Sequence, residues 1–197
     1  MKIYFSASAR AKHFCPECLD KIYEEIEKLG YIHVTDWMKR VDPDRLYKRT
    51  PEEAAKFYKE MVADIKKADI CVFETSIDSA GIGFSINMAL DAGKPVIALY
   101  NRHHDPKRKA PYLLQMIRHP KIQVLEYTLE NLDETLDDAL EVAKDQMDIR
   151  FTFFLTPHLV NYLDFIKRER RMARATFIRR LIEGAMKKDK EYLLKKS

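Results

Sequence analysis

Short apolar runs that return between helix-patterned stretches constrain this chain more than any other feature of its sequence. Pro95 to Tyr100 is unbroken apolar sequence, and a strand without polar alternation is one covered on both faces. Lys2 to Phe5, Ile70 to Glu74 and Lys121 to Tyr127 are further strands, and Tyr31 to Asp36 reads as another because aromatic and β-branched residues recur there. Between them the spacing is helical. Pro16 to Leu29 carries Leu19, Ile22, Tyr23, Ile26 and Leu29, and Gly30 stands at its end. Thr50 with Pro51, Glu52 and Glu53 opens a helix that runs to about Lys67, because a hydroxyl cap, a first-turn Pro and acids all suit a helix start. Gly83 to Ala92 is a helix closed by Gly93, and Leu129 to Lys144 is another with Leu132, Leu136, Leu140 and Val142 inward. Lys39 to Arg49 is expected to be a loop. Alternating helices and strands specify an α/β fold, and five strands fit a flavodoxin-like, doubly wound parallel sheet, in which ligands bind beyond the carboxyl ends of the strands.

The pattern restarts near residue 147, and so does the charge. From Met147 to Ser197 there are 13 Lys and Arg against 6 Asp and Glu, whereas residues 1–146 are slightly acidic. We therefore expect domains over 1–146 and 147–197. Ile149, Phe151, Phe153 and Leu155 alternate with Arg150, Thr152 and Phe154 as a strand with one apolar face. Thr156-Pro157 starts a helix carrying Leu159, Tyr162, Leu163 and Ile166, and a second helix carries Phe177, Ile178, Leu181 and Ile182. Strand, helix, helix is too little chain to bury its own apolar face, so a dimer is expected. The local basic surplus points to an acidic partner such as nucleic acid, or else to a solvated helical face. With 46% hydrophobic and 34% charged residues the composition excludes wholesale disorder. No apolar run is long enough to span a membrane and no leader pattern is evident, so a cytoplasmic protein is expected.

Two loops carry the candidate chemistry. Thr75 to Gly83 joins a buried strand to a helix start, where free amides and the helix dipole can hold an anion. Ser79, Gly81 and Gly83 lie there, and Ser6, Ser8 and Arg10 follow the first strand, so together they make a phosphate or ribose site with a charged arm. The same glycines also suit a tight turn that needs small residues for packing. Trp37, the single Trp, either stacks a ligand base or packs in the core. Cys15-Pro-Glu-Cys18 beside His13 is the beginning of a zinc site or a redox pair. No second pair follows at ligand spacing, so neither metal nor cofactor is expected. His103 and His104, with Lys107 and Arg108, read as a solvated loop or the rim of an anion site.

Ile3-Tyr-Phe-Ser-Ala-Ser-Ala-Arg10, Ala68-Asp-Ile-Cys-Val-Phe-Glu74, Ser79-Ala-Gly-Ile-Gly-Phe-Ser-Ile-Asn-Met-Ala89 and Gly93-Lys-Pro-Val96 resemble, in order and spacing, the nucleoside 2-deoxyribosyltransferase superfamily. Within it the 2′-deoxynucleoside 5′-phosphate N-hydrolases look nearest, and the likeness covers roughly residues 1 to 145. The resemblance implies that Ser8, Arg10 and Ser79 line a 5′-phosphate pocket beside a wall shaped by Gly81 and Gly83. It also implies that the family's nucleophilic Glu falls at Ser85 and its second carboxylate at Met61. Neither a hydroxyl without a base nor a thioether performs that chemistry. Glu60 and Asp64 flank Met61, and Glu74 remains the candidate catalytic carboxylate, with a structural role bonding loop amides as the other reading of it.

Ile149 to Leu155, Thr156-Pro-His-Leu159 and Arg174-Ala-Thr-Phe-Ile-Arg179 resemble the ribbon-helix-helix DNA-binding fold. That resemblance implies an antiparallel ribbon shared by two chains, with Arg150, Thr152 and Phe154 at base edges and Arg174 at the second helix start. Phe154 cannot hydrogen-bond, and Ala173 stands where that fold has a capping Ser. The combined expectation is a nucleotide- or nucleoside-binding, catalytically degenerate deoxyribosyltransferase-like pseudoenzyme coupled to a dimeric double-stranded-DNA-binding module, that is, a ligand-responsive regulator. The alternative is an active N-glycosidase or deoxyribosyltransferase that uses Glu74 and oligomerises through the tail.

Overall fold

The computed structural model describes residues 1–46, 48–102, 110–147, 153–170 and 172–190, and divides the chain into two compact units, Met1–Asp148 and Ile149–Ser197. In the first unit, strands β1 (Lys2–Ala7), β2 (Ile32–His33), β3 (Ile70–Glu74), β4 (Val96–Asn101) and β5 (Ile122–Tyr127) form a 5-stranded sheet in the order β2-β1-β3-β4-β5. Every pairing is parallel. The register sets Ile3 against Ile70, Val72 against Ile97 and Ala98 against Val124. β3 is buried along its whole length, as expected for a strand sandwiched between helical layers.

The period of two divides the sheet residues between two cores. Ile3, Phe5, Ile70, Val72, Ile97 and Leu99 pack with α2 (Pro16–Lys28) and α8 (Leu132–Asp145), and with Ala11 and Met38 from the short helices α1 (Ala11–Phe14) and α3 (Trp37–Arg40). Tyr4, Cys71, Phe73, Val96 and Ala98 pack on the other face with α5 (Pro51–Lys67), α6 (Ala80–Asp91) and α7 (Tyr112–Met116). Fully burying each such Ile, Leu or Phe contributes about 1.5–3 kcal/mol, so the two cores hold the sheet between the helical layers.

The elements begin and end where local chemistry allows. Thr50 Oγ1 accepts from the Glu53 amide while the Glu53 carboxylate accepts from the Thr50 amide, a reciprocal cap on α5. Gly30 adopts φ 81°, a conformation that closes α2 without a Cβ penalty. Several boundaries differ from expectation. β2 keeps only Ile32–His33 of the expected run to Asp36: Val34 still donates its amide to the Ile3 carbonyl, and the chain then turns away into α3. The expected loop 39–49 contains the end of α3 and the single turn α4 (Pro43–Leu46). α6 starts at Ala80 rather than Gly83, since Ser79 caps it. α8 starts at Leu132, after Asn131 folds back onto Thr128. Val142 is 47% exposed, not inward, because it lies off the stripe that buries Leu132, Leu136 and Leu140.

The second unit contains α9 (Pro157–Glu169) and α10 (Arg174–Met186). Among its described residues only Leu163 and Ile166 are buried; Leu159, Tyr162, Leu181 and Ile182, expected to face a core, are exposed. Two short helices offer too little partner surface to cover them. Tyr162 meets Phe177 edge to face at 5.8 Å. Of the expected strand, 149–152 lie outside the described residues, and Phe153 to Leu155 are not in a strand; a ladder requires a second strand to pair with.

Candidate functional site

The loops that follow β1 and β3 meet at the carboxyl edge of the sheet, where the strand order reverses. Arg10 ties them together, its guanidinium donating to the Asp78 carbonyl. Ser8, only 3% exposed, carries a hydroxyl oxygen with no hydrogen-bond partner among the described residues. A buried polar atom left unmatched is costly unless something else satisfies it. Ser6 is also buried, and the phenol of Tyr4, two residues earlier on β1, is pushed upward mainly by burial.

At the start of α6, Ser79 Oγ accepts from the Ile82 amide and its carbonyl accepts from the Gly83 amide. The amides of Ala80 and Gly81 precede the first intrahelical bond, the position at which a helix start can hold an anion. A Cβ on Gly81 would approach only Ser79 Oγ, at 3.7 Å, and one on Gly83 would meet nothing within 4 Å. Neither glycine has positive φ. The chain's own packing and backbone therefore do not require them; bare backbone at a helix start does suit close approach by a ligand.

The positions of the two resembled carboxylates are in contact. Ser85 Oγ donates to Met61 Sδ at 3.2 Å and lies 3.0 Å from the Gly81 carbonyl. Met61 lines a cleft of about 500 Å³ with Tyr4, Trp37, Phe57, Glu60 and Asp64. Trp37 packs edge to face on Phe57 at 5.2 Å, the Arg49 guanidinium covers the Phe57 ring at 4.3 Å, and Trp37 Nε1 is buried without a partner among the described residues. Trp37 thus belongs both to core packing and to the cleft wall. Glu60 and Asp64 reach the same cleft but hold other partners, Lys56 at 4.0 Å and Lys67 at 3.5 Å.

Glu74 lies elsewhere. It alternates with Ile70 and Val72, so it belongs to the sheet face opposite Phe73, Met61 and Ser85. Its Oε1 accepts from the Ser76 amide at 3.1 Å and from the Ser76 hydroxyl, and Tyr127 OH donates to it at 3.4 Å. The Tyr127 phenol is driven upward by burial and by this neighbouring carboxylate. In this arrangement the Glu74 carboxylate is bonded to its own loop. Sequence reasoning overlooked the sign available in the alternation of β3 itself.

Sequence reasoning also did not anticipate the bridge from Arg10 to Asp78, which no spacing signals, or the network of Asn101, Ser76 and Tyr127 around Glu74. Cys15 and Cys18 are joined as a disulfide. In the second unit Arg174 pairs with Asp164 and Phe154 is fully exposed, whereas Arg150 and Thr152 lie outside the described residues, as do His103, His104, Lys107 and Arg108. Among the described residues no helix is long and apolar enough to cross a membrane.

No protein-family model matches the chain. It is 28% identical over 151 residues to "Putative 2'-deoxynucleoside 5'-phosphate N-hydrolase 1" of Thermofilum pendens, an alignment that spans 72% of this chain and 99% of that protein. Among solved structures, a Clostridium botulinum CMP N-glycosidase aligns over 70% of this chain and 99% of its own at 15% identity, with a TM-score of 0.46. The sequence similarity to the hydrolase runs end to end along that protein.

Proposed function

We propose that the first unit binds a phosphorylated nucleoside without cleaving its N-glycosidic bond. The phosphate sits against Ser8, Arg10, Ser79 and the amides of Ala80 and Gly81, where a guanidinium and a helix start both favour negative charge. Ser6 supports that loop from below, Gly81 and Gly83 leave room for the sugar, and the base takes the cleft beside Trp37. The observation that carries this reading is the Ser85–Met61 contact at 3.2 Å, a hydroxyl and a thioether joined at the two positions where the resemblance implies carboxylates. Neither group can stabilise an oxocarbenium-like sugar or move its proton.

Calorimetry with 2′-deoxynucleoside 5′-monophosphates tests this directly. Saturable binding without release of free base is expected, and Arg10→Ala should weaken it about tenfold, a loss of about 1.4 kcal/mol. Base release at an enzymatic rate that Glu74→Gln abolishes would establish the alternative, an active N-glycosidase.

The second unit, in this proposal, pairs with the same unit of another chain and binds double-stranded DNA through Arg150, Thr152, Phe154 and Arg174, with nucleotide occupancy adjusting affinity. Its support is the local basic surplus and the exposure of Leu181 and Ile182 on α10. DNA affinity should fall steeply as salt rises, because phosphate contacts release counterions. No binding at low salt would restrict this unit to dimer formation.

A further inference from the structure

We propose that Cys15 and Cys18 are a reversible thiol–disulfide pair that exchanges electrons with an external dithiol and reports its state to the Thr75–Ser79 loop through Asn101. The bond joins cysteines separated by 3 positions. Closing so small a loop restricts the unfolded chain far less than a long-range bridge does, so stabilisation is a weak reason for it. The surroundings are those of an exchange site.

The two sulfurs are unequal. Cys15 stands at the N-cap of α2 and is partly exposed, whereas Cys18, one turn into the helix, is 1% exposed. An incoming thiolate therefore reaches Cys15 Sγ. The sulfur that must leave, Cys18 Sγ, accepts a hydrogen bond from Asn101 Nδ2 at 3.1 Å, which favours the thiolate as the bond breaks. Glu17 Oε1 lies 3.2 Å from Cys15 Sγ, a ready acceptor for the S–H that reduction creates there. While the sulfurs are bonded to each other neither is a thiolate, so the same trio does not read as a metal site. The third thiol, Cys71, is buried on the other sheet face, and burial pushes it up to about 12.

The chemistry balances. One thiolate of the dithiol attacks Cys15 Sγ, forming a mixed disulfide, and Cys18 departs as a thiolate that takes a proton from solvent. The second thiol of the reagent then attacks its own half of the mixed disulfide and releases Cys15, which is protonated in turn. The protein gains two electrons and two protons, and the dithiol becomes a disulfide.

Asn101 carries the change further. Its backbone amide donates to Ser76 Oγ at 2.8 Å, and the Ser76 amide donates to Glu74 at 3.1 Å. Two residues on, the Asp78 carbonyl holds Arg10, and Arg10 leads through α1 to Cys15, whose amide donates to the Ala11 carbonyl at 2.9 Å. The disulfide and the loop are thus joined along both routes.

The test uses the full chain, equilibrated in mixtures of reduced and oxidised dithiothreitol, quenched with a maleimide and read by peptide mass. Cys15 and Cys18 are expected to gain their labels together in one two-electron transition, with Cys71 labelled only after denaturation. Oxidised glutathione should add to Cys15 in Cys18→Ser at least about tenfold faster than to Cys18 in Cys15→Ser, following exposure. Deuterium uptake over residues 75–79 should be faster in the reduced wild-type protein. Labels that never move with the dithiol ratio, or a Cys18 as reactive as Cys15, would overturn the exchange; equal uptake in both states would overturn the link to the loop. No readout involves a nucleotide, so these outcomes stand apart from the function proposed above.

Discussion

Ser85 is the residue on which the proposed loss of cleavage turns. It is buried, and its hydroxyl is held between the Met61 thioether and the Gly81 carbonyl. Ser85→Glu places a buried carboxylate against sulfur and a carbonyl, and should cost about 3 kcal/mol, read as a fall in the urea midpoint of the first unit. His33 offers a second measurable residue. It sits against Tyr23 at 4.5 Å with its Nε2 toward the Tyr23 carbonyl; burial lowers its pKa, the carbonyl and Glu27 working the other way and Lys39 adding to the lowering. A histidine that resists protonation when folded binds more protons when unfolded, so its contribution is present above the ordinary histidine pKa and is lost as pH falls from there toward the folded value. Thermal melts of wild type and His33→Gln between pH 7.5 and 5 check this: wild type should lose stability more steeply on acidification. An equal slope in both proteins would remove His33 from the account.

Among the elements, α5 is the one whose start was fully legible, since Thr50, Pro51 and Glu53 state a reciprocal cap in four residues. Thr50→Ala should cost about 1 kcal/mol, visible as a lower melting temperature with no change in fold by circular dichroism. The alternation of strand and helix likewise disclosed β1, β3, β4 and β5, because buried parallel strands are written as short apolar runs. β2 was overestimated: Val34 and Thr35 have strand-like character, yet the edge ends where the chain turns down into α3, a tertiary event that local propensity does not record. The site was legible as loops and not as geometry. Positions 61 and 85 could be singled out as lacking carboxylates, but their contact across two helices depends on how α5 and α6 pack. The orphaned Ser8 hydroxyl is legible only once the strands around it are in place.

For the molecule as a whole, the two units differ in how completely each covers its own apolar residues. The first has two cores on either side of a sheet; the second, among its described residues, buries Leu163 and Ile166 and leaves Leu159, Leu181, Ile182 and Met186 exposed. If that face is covered by another copy, Leu181→Asp should shift the sedimenting species toward monomer while the urea transition of the first unit stays in place. A monomeric wild-type protein at micromolar concentration would end that reading.

The sheet order also sets a timetable. β1 comes first in the sequence but lies between β2 and β3, and its long partner is a strand that begins at Ile70. The Lys2 amide is held by the Asp69 carboxylate, 67 positions away. Pairings of such separation form late, because the intervening chain must be closed first. A ribosome that has released the chain only as far as residue sixty or so therefore presents β1 with a two-residue strand as its sheet partner, with α2 and α3 available to cover one face and β3 still missing. The nascent chain must keep the uncovered face and edge of β1 from its neighbours until Glu74 is out, which makes the interval before β3 appears a moment of exposure to aggregation or to a chaperone.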